Sequence, residues 1–568
     1  MRWPLLSSVV ALLAAAPLSE PPSLAIKVDQ VGYLTDSPKI AFVASTPTSA
    51  FTVRRSGDGR VVFSGVPAAA IDDVDSGDRV QALDFSTVRA PGTYFLDVPG
   101  VGTSWPFAIG RDTYARAYYL TLRSYYGQRC GTAVDLGPAF PGYRHAACHL
   151  HGAYHPSSGK TGDAPSAGGW HDAGDYGRYI VNSGIAAGTL LWTWELYGPR
   201  LRRTALDIPE SGNTVPDILD EIKWNLDWML TLQDDDGGVW QKQTSEQFAR
   251  FVMPEADTTT SYIIGTGSDP FESSCATADF AAVMAIAGRT YGQFESAYAA
   301  RTLAAGRRAW EWLGAHHDVF FRNPTGVATG EYGDNDCRDE RLWAASELWR
   351  STREPRYQEY FLAHYAAFTD TIRAVGPPSW RSVAPLALWS YALGRDADDA
   401  AVKLIRQRAL DAADVIVART SRSPYRNSMT TTDYIWGSNS VAANYGMQLL
   451  VANALKPDRR YVDTALDNLH YLLGRNTFSL SWVTQVGAHP FRHPHHRPSA
   501  ADDNEGPWPG LLAGGPNRRR QDSAMATLPD LPPAKMYLDE QASYATNEVA
   551  INWNAPLVFV LAWTLSER

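Results

Sequence analysis

The chain has 568 residues, of which 45% are hydrophobic and 20% charged, with a formal net charge of −10 at neutral pH. That length exceeds one compact core and calls for two domains or one large toroid, in a composition ordinary for a soluble globular protein. The acidic balance argues against a nucleic-acid partner, which would need a basic face.

In chain order, Met1-Arg-Trp-Pro-Leu-Leu-Ser-Ser-Val-Val-Ala-Leu-Leu-Ala-Ala-Ala-Pro-Leu-Ser19 joins one basic residue to an apolar run and small residues. This predicts a secretory signal peptide over 1–20, too short to span a bilayer. No other segment reaches transmembrane length, so the expectation is a secreted (extracellular or periplasmic) monomer with no membrane partner. From 24 to 110 the pattern is short, β-branched and alternating: Ile26–Tyr33, Lys39–Ala44, Phe51–Arg55, Val61–Val66, Val80–Phe85, Gly92–Val98 and Ser104–Ile109. Turn signals such as Gly57-Asp-Gly59 and Pro91-Gly92 separate them, and the set predicts a small all-β immunoglobulin-like sandwich with no catalytic cluster of its own.

After Arg111 the period turns helical. Val215, Ile218, Leu219, Ile222, Leu226, Met229 and Leu230 form one amphipathic stripe. Similar stretches fall near 113–128, 175–197, 215–233, 275–291, 294–316, 337–352, 354–373, 381–393, 398–418, 439–455, 458–474 and 547–565. Twelve helices with no strand between them predict an all-α toroid of six hairpins over 111–568, although no repeat in the sequence shows its closure. Between Arg475 and Thr546 lies a long His-, Pro-, Gly- and Asp-rich stretch, and so long a loop in a compact domain is usually functional.

Three segments carry chemistry. Gly168-Gly-Trp-His-Asp-Ala-Gly-Asp-Tyr-Gly-Arg-Tyr179 holds Asp172 and Asp175 in a glycine-flanked turn. Two acids at one point repel, so one stays protonated or both grip a water or cation. A lone D-x-x-D is more often an ordinary Asx-turn, but Tyr544-Ala-Thr-Asn-Glu-Val-Ala-Ile-Asn-Trp-Asn-Ala-Pro556 adds a single acid, Glu548, among apolar neighbours. A pair plus one distant shielded acid is what inverting glycoside hydrolysis requires. The third segment, Gln485-Val-Gly-Ala-His-Pro-Phe-Arg-His-Pro-His-His-Arg-Pro-Ser499, sets donors on a stiff backbone; its spacing suits sugar hydroxyls better than a metal.

Together these segments, with Tyr471-Leu-Leu-Gly-Arg-Asn476 and His493-Pro-His-His-Arg497, resemble glycoside hydrolase family 9. Val28-Asp-Gln-Val-Gly-Tyr33 resembles the immunoglobulin-like module that precedes one branch of that family. The resemblance implies an (α/α)6 barrel that cleaves β-1,4-glucosidic bonds with inversion, as cellulases do, on a β-glucan polysaccharide or oligosaccharide. It implies Asp175 as general base, Asp172 as the second carboxylate on the attacking water, and Glu548 as general acid. His495 and Arg497 match the family's substrate-binding H-x-R pattern; Trp380 and Trp436 resemble sugar-stacking positions. Tyr544 and Trp553 are expected to exclude water around Glu548, which as the first residue of a helix would feel a macrodipole that favours its ionised form. The alternatives are exo action on cello-oligosaccharides or glucosamine oligomers, and a non-catalytic sugar binder, which would need neither the aspartate pair nor Glu548.

Two metal expectations complete the reading. In Glu331-Tyr-Gly-Asp-Asn-Asp-Cys-Arg-Asp-Glu340, the hard oxygens of Asp334, Asp336, Asp339 and Glu340 suit calcium, and an acidic helix N-terminus is the competing reading. Family members bind calcium at a D-x-x-[DE]-[DE] pattern here, which implies a site. Cys130, Cys148, His149 and His171 form a set that suits tetrahedral zinc, against a Cys130–Cys148 disulfide, which export would permit, or a His171 that only hydrogen-bonds in the cleft. The resemblance to zinc-carrying members with the immunoglobulin-like module favours the metal.

Overall fold

The computed structural model describes residues 21–45, 48–373 and 376–566; the signal segment expected over 1–20 lies outside the described residues. Residues 26–109 form a β-sandwich of two sheets. One runs in the order Ile26–Lys27, Ile40–Ala44, Arg79–Asp84, Ile71–Asp72. The other runs Gly32–Tyr33, Phe107–Ile109, Gly92–Val98, Phe51–Arg55, Val61–Gly65, with Gly102–Thr103 paired to Gly92–Val98. Alternate residues such as Phe51 and Val53, or Tyr94, Leu96 and Val98, turn into a shared core, as the period-2 pattern demands. The expected strand Ile26–Tyr33 is broken in two because Asp29 Oδ1 accepts from the backbone N–H groups of Val31 and Gly32 and bends the chain between the sheets.

The rest is helical and closes on itself. Six helices, Ile180–Leu201, Ser274–Tyr291, Arg338–Thr352, Ala384–Leu393, Ser438–Leu455 and Ile551–Ser566, pack each on the next, and the last packs on the first. An outer helix precedes each in the chain: Ala115–Gly127, Asp217–Thr231, Ser296–Ala315, Pro355–His364, Asp399–Arg422 and Arg459–Leu472. The inner helices are buried on nearly all faces, as in Ser274–Tyr291, while Ser296–Ala315 buries one stripe and exposes the other side. At Gly188 of Ile180–Leu201 an added Cβ would lie 2.6 Å from the ring of Trp343 on Arg338–Thr352, so a bare backbone makes room there for the indole between inner helices.

One expectation fails. Strands do occur between the helices: a five-stranded sheet ordered Asp163–Pro165, His151–Tyr154, Ser261–Ile264, Lys242–Thr244, Arg178–Tyr179, and a pair Val134–Asp135 with Arg144–His145. Each has two to four residues, too few for a period to register against the helical pattern. The strand Arg178–Tyr179 directly follows the Asp172–Asp175 turn and leads into the inner helix Ile180–Leu201, so the sheet anchors that turn at the mouth of the barrel.

The sandwich is docked on the barrel. Asp29 Oδ2 meets His470 Nδ1 at 2.8 Å and accepts from Tyr114 Oη at 3.0 Å. The Gln30 side chain bonds Ser479 O and the backbone N–H of His489, Lys27 Nζ donates to Thr477 O, and Lys535 pairs with Asp78.

Candidate active site

The acid turn is shaped by what touches it. Gly168 and Gly169 take positive φ of 102° and 78°, a region closed to most side chains. An added Cβ at Gly174 would fall 1.9 Å from His495 O, so glycine alone lets the 485–499 segment press onto the turn. Asp172 is buried, and both its oxygens are engaged: Oδ1 accepts from Asn182 Nδ2 at 2.6 Å and Oδ2 from Tyr332 Oη at 2.7 Å. Burial, then the charge of Asp175, raises its carboxyl above the ordinary range, against those two donors. Asp175 Oδ2 accepts from Tyr179 Oη at 2.9 Å and from the backbone N–H of Gly177 at 3.2 Å; its Oδ1 takes part in neither bond.

Glu548 is partly exposed, unlike the two aspartates. Its place in the backbone corrects the expectation that it begins a helix. The last inner helix starts at Ile551, and Glu548 is extended (φ −66°, ψ 159°) just after the short helix Tyr544–Asn547. It bridges in parallel to His495, and its carbonyl accepts from Gly514 N. No N-terminal macrodipole therefore favours its charged form. Burial of its carboxyl, then Asp175 and Asp172, push Glu548 well above the usual carboxylate range, with Arg497 and the Gly174 N–H opposing. The resulting arrangement sets Glu548, whose carboxyl is biased towards its protonated form, near two anchored aspartates.

The expected substrate residues fall into two groups. His495 Nδ1 donates to Gln541 O at 2.7 Å, which fixes the ring and frees Nε2; burial holds it neutral by lowering its pKa. Its ring meets Tyr544 edge-on at 5.8 Å, and Tyr544 lies 5.3 Å from Trp436, which is 39% exposed. On the Asp172 side, Trp380 stands edge-on to Tyr332 at 5.0 Å. Arg497 is placed differently from a surface donor: it is buried, with Nε on Ala249 O and Nη1 on Gly174 O. It clamps the acid turn to the 248–252 loop. Trp553 is half-buried against Gly437 and Gly514.

Asn182, Tyr179 and Tyr332 were not singled out from sequence. Tyr332 offered as a signal only its place inside the acidic segment; its φ of 45°, a strained backbone for a tyrosine, shows only in the structure. Asn182 had none, since an Asn early in a buried helix reads as core.

Both metal clusters can be tested for fit. The ligand atoms of Cys130, Cys148, His149 and His171 all lie within 4.8 Å of one another. Neither cysteine is oxidised; the disulfide joins Cys275 and Cys337 instead, tying the starts of two inner helices. The Nδ1 atoms of His149 and His171 are buried without partners, and His149 Nε2 meets Asp257 Oδ2 at 3.1 Å, the outer-shell carboxylate a metal-bound imidazole commonly has. Burial opposes ionisation of Cys130, yet Cys148, Arg178 and His171 outweigh it and draw its thiol well below the normal range. This set fits a soft tetrahedral cation.

The acidic set is rearranged relative to expectation. Asp336 turns outward to Arg338, with Nε at 2.7 Å. In its place Asp279, from the inner helix Ser274–Tyr291, brings two buried oxygens without partners, as does Glu340, and Asp334 brings one. Asp339 Oδ2 caps the backbone of Val383 and Ala384. Burial and mutual repulsion raise Asp279 and Glu340 well above the ordinary carboxylate range. Orphaned carboxylate oxygens of this kind fit a hard cation.

The family model of Glycosyl hydrolase family 9 matches residues 114–561, and that of the Cellulase N-terminal ig-like domain matches residues 22–103. Endoglucanase D of Acetivibrio thermocellus is 36% identical over 94% of this chain and 83% of its own length. A xyloglucan-specific endo-beta-1,4-glucanase of Bacteroides ovatus is 35% identical over 94% of this chain and 93% of its own. Among solved structures, a Zn-binding triple mutant of the family 9 endoglucanase J30 superposes with a TM-score of 0.87 at 36% identity, covering 94% of this chain and all of the other.

Proposed function

The chain belongs to glycosyl hydrolase family 9, and from that premise we propose that it hydrolyses internal β-1,4-glucosidic bonds of cellulose-type glucans with inversion at the anomeric carbon. The observation that carries the assignment of roles is the contrast within the acid set. Glu548 is partly exposed and biased towards its protonated form by burial of its carboxyl and two nearby aspartates, whereas Asp172 and Asp175 are fixed by neutral donors. An inverting pair needs its acid and base about 6.5–9.5 Å apart, with a water on the far face of the sugar. Asp175 takes the proton of that water as it attacks. Asp172, its oxygens held by Asn182 and Tyr332, orients that water. Glu548 gives its proton to the leaving oxygen. His495 offers Nε2 to a hydroxyl, Trp436 and Tyr544 stack a ring near Glu548, and Trp380 does so near Asp172. Arg497 acts by fastening the turn.

Zinc held by Cys130, Cys148, His149 and His171 is structural: four protein ligands leave no open position for substrate. Calcium held by Asp279, Asp334, Asp339 and Glu340 neutralises charge between inner helices. The apolar leader supports export, in keeping with a polymer substrate, and the protein acts as a monomer. Among the described residues no helix is long and apolar enough to cross a membrane.

Substitution tests the roles. Asp175→Ala and Glu548→Gln are expected to lower the rate on carboxymethylcellulose by about 10²–10⁴-fold with melting temperature unchanged. Glu548→Gln should keep more activity on aryl glycosides, whose leaving groups need little protonation. Near-wild-type turnover of carboxymethylcellulose by Glu548→Gln would remove Glu548 as the acid.

A further inference from the structure

Two aromatic rings near the acids have no part in the chemistry described above. Phe248 and Phe251 lie on the loop after the strand Lys242–Thr244 and are 50% and 37% exposed. The loop is fastened along its length. Arg497 Nε donates to Ala249 O, Tyr176 Oη donates to Val252 O at 2.5 Å, and Asp257 meets His149 of the cysteine–histidine cluster at 3.1 Å. Further back, Ala328 N donates to Glu246 O at 2.7 Å.

Held rigid in this way, each ring keeps one face on the buried Arg497 guanidinium, whose carbon stands 5.7 Å from the Phe248 centroid and 5.0 Å from that of Phe251. Part of the remaining ring surface is exposed to solvent. Phe251 also meets His495 edge-on at 5.0 Å, and the backbone of His495 presses on Gly174 between the two aspartates. A row of rings therefore runs Phe251, His495, Tyr544, Trp436 past the acids, with Phe248 joined to it through the Arg497 guanidinium it shares with Phe251. Apolar rings left in water on a rigid loop, continuous with a cleft, mark a binding surface, and a flat aromatic face is the usual partner for the C–H face of a pyranose. An arginine behind the ring adds electrostatic support and fixes its tilt.

We propose that Phe248 and Phe251 form an aromatic platform that binds a further glucosyl unit of a β-1,4-glucan chain, outside the subsites that flank the scissile bond, and so favours long chains over short ones. The proposal rests on the hydrolase reading above. The platform costs little order on binding, because Arg497, Tyr176 and Asp257 hold its loop beforehand.

The test compares kcat/KM on cellohexaose with that on p-nitrophenyl cellobioside, which on this proposal fills only the subsites next to the scissile bond and serves as internal reference. For Phe251→Ala and the Phe248→Ala, Phe251→Ala double variant, the cellohexaose value should fall by about tenfold, the scale of one lost aromatic contact. The aryl cellobioside value should hold, and Phe251→Trp should retain cellohexaose activity. Unchanged cellohexaose kinetics in the double variant would overturn the platform. So would an equal fall on both substrates at unchanged melting temperature, because the loop would then act on the acid turn. Wild-type protein that cleaves neither probe defeats the hydrolase reading itself, and the platform with it.

Discussion

Tyr332 and Asn182 decide how Asp172 works, since each donates to one of its oxygens and both bonds favour the ionised form that burial opposes. Removing the phenol should therefore raise the Asp172 pKa further. Tyr332→Phe is expected to lower kcat on carboxymethylcellulose by about 10–100-fold, the scale of a hydrogen bond to a charged group, and to move the acid limb of the pH–rate profile upward. An unshifted limb with full kcat would show that the Tyr332 bond is incidental. The three acids were singled out in the sequence because a turn with two aspartates and an apolar-flanked glutamate are local patterns. Their partners were not: Tyr332 reaches Asp172 across 160 residues, and no local pattern reports such a contact. Glu548 was expected to begin a helix, because the apolar run after it suggested a start that the structure places at Ile551.

The turn itself is held by three neighbouring strands of chain. His171 N donates to Gln128 O and Cys130 N to Gly169 O, so the cysteine–histidine cluster fastens the end of the first outer helix to the residue before Asp172. His149 extends the same cluster to the loop of Asp257. A metal closing this cluster would fix both walls of the cleft without touching substrate. Purified protein should contain about one zinc per chain, and His171→Ala should lose the metal, melt lower and lose activity together. Metal-free protein with wild-type activity and melting temperature would show that the cluster stands without an ion. At this scale the sequence was most readable where a pattern ran for ten residues or more, so the long helices fell where their stripes predicted. It was least readable for the two- to four-residue strands, and for Asp279, which joins the acidic cluster from a helix whose sequence reads only as core.

The sandwich and barrel share one buried network, Asp29 with His470, Tyr114 and Tyr33. Burial pushes Asp29 up to about 8, against the backbone N–H groups of Gly32 and Val31, and burial holds His470 neutral. An unfolded aspartate titrates near ~3.9. The folded chain therefore binds the extra proton between about 4 and 8, and the stability linked to it is full below about 4 and lost as pH rises through about 8. The wild-type melting temperature should fall from pH 5 to pH 8 more than that of Asp29→Asn, which keeps an acceptor and cannot ionise; equal slopes would contradict the linkage. The residues that make this docking were not legible in sequence, since Asp29 and His470 lie 441 residues apart. In the whole molecule the sandwich braces the barrel that carries the acids, and the proposed inversion requires Asp175 and Glu548 to act on opposite faces of a sugar ring. Following cellohexaose hydrolysis by proton NMR from the first turnover tests this most directly. The account predicts that new reducing ends appear first as the α-anomer and then mutarotate; an initial β-anomer would contradict it.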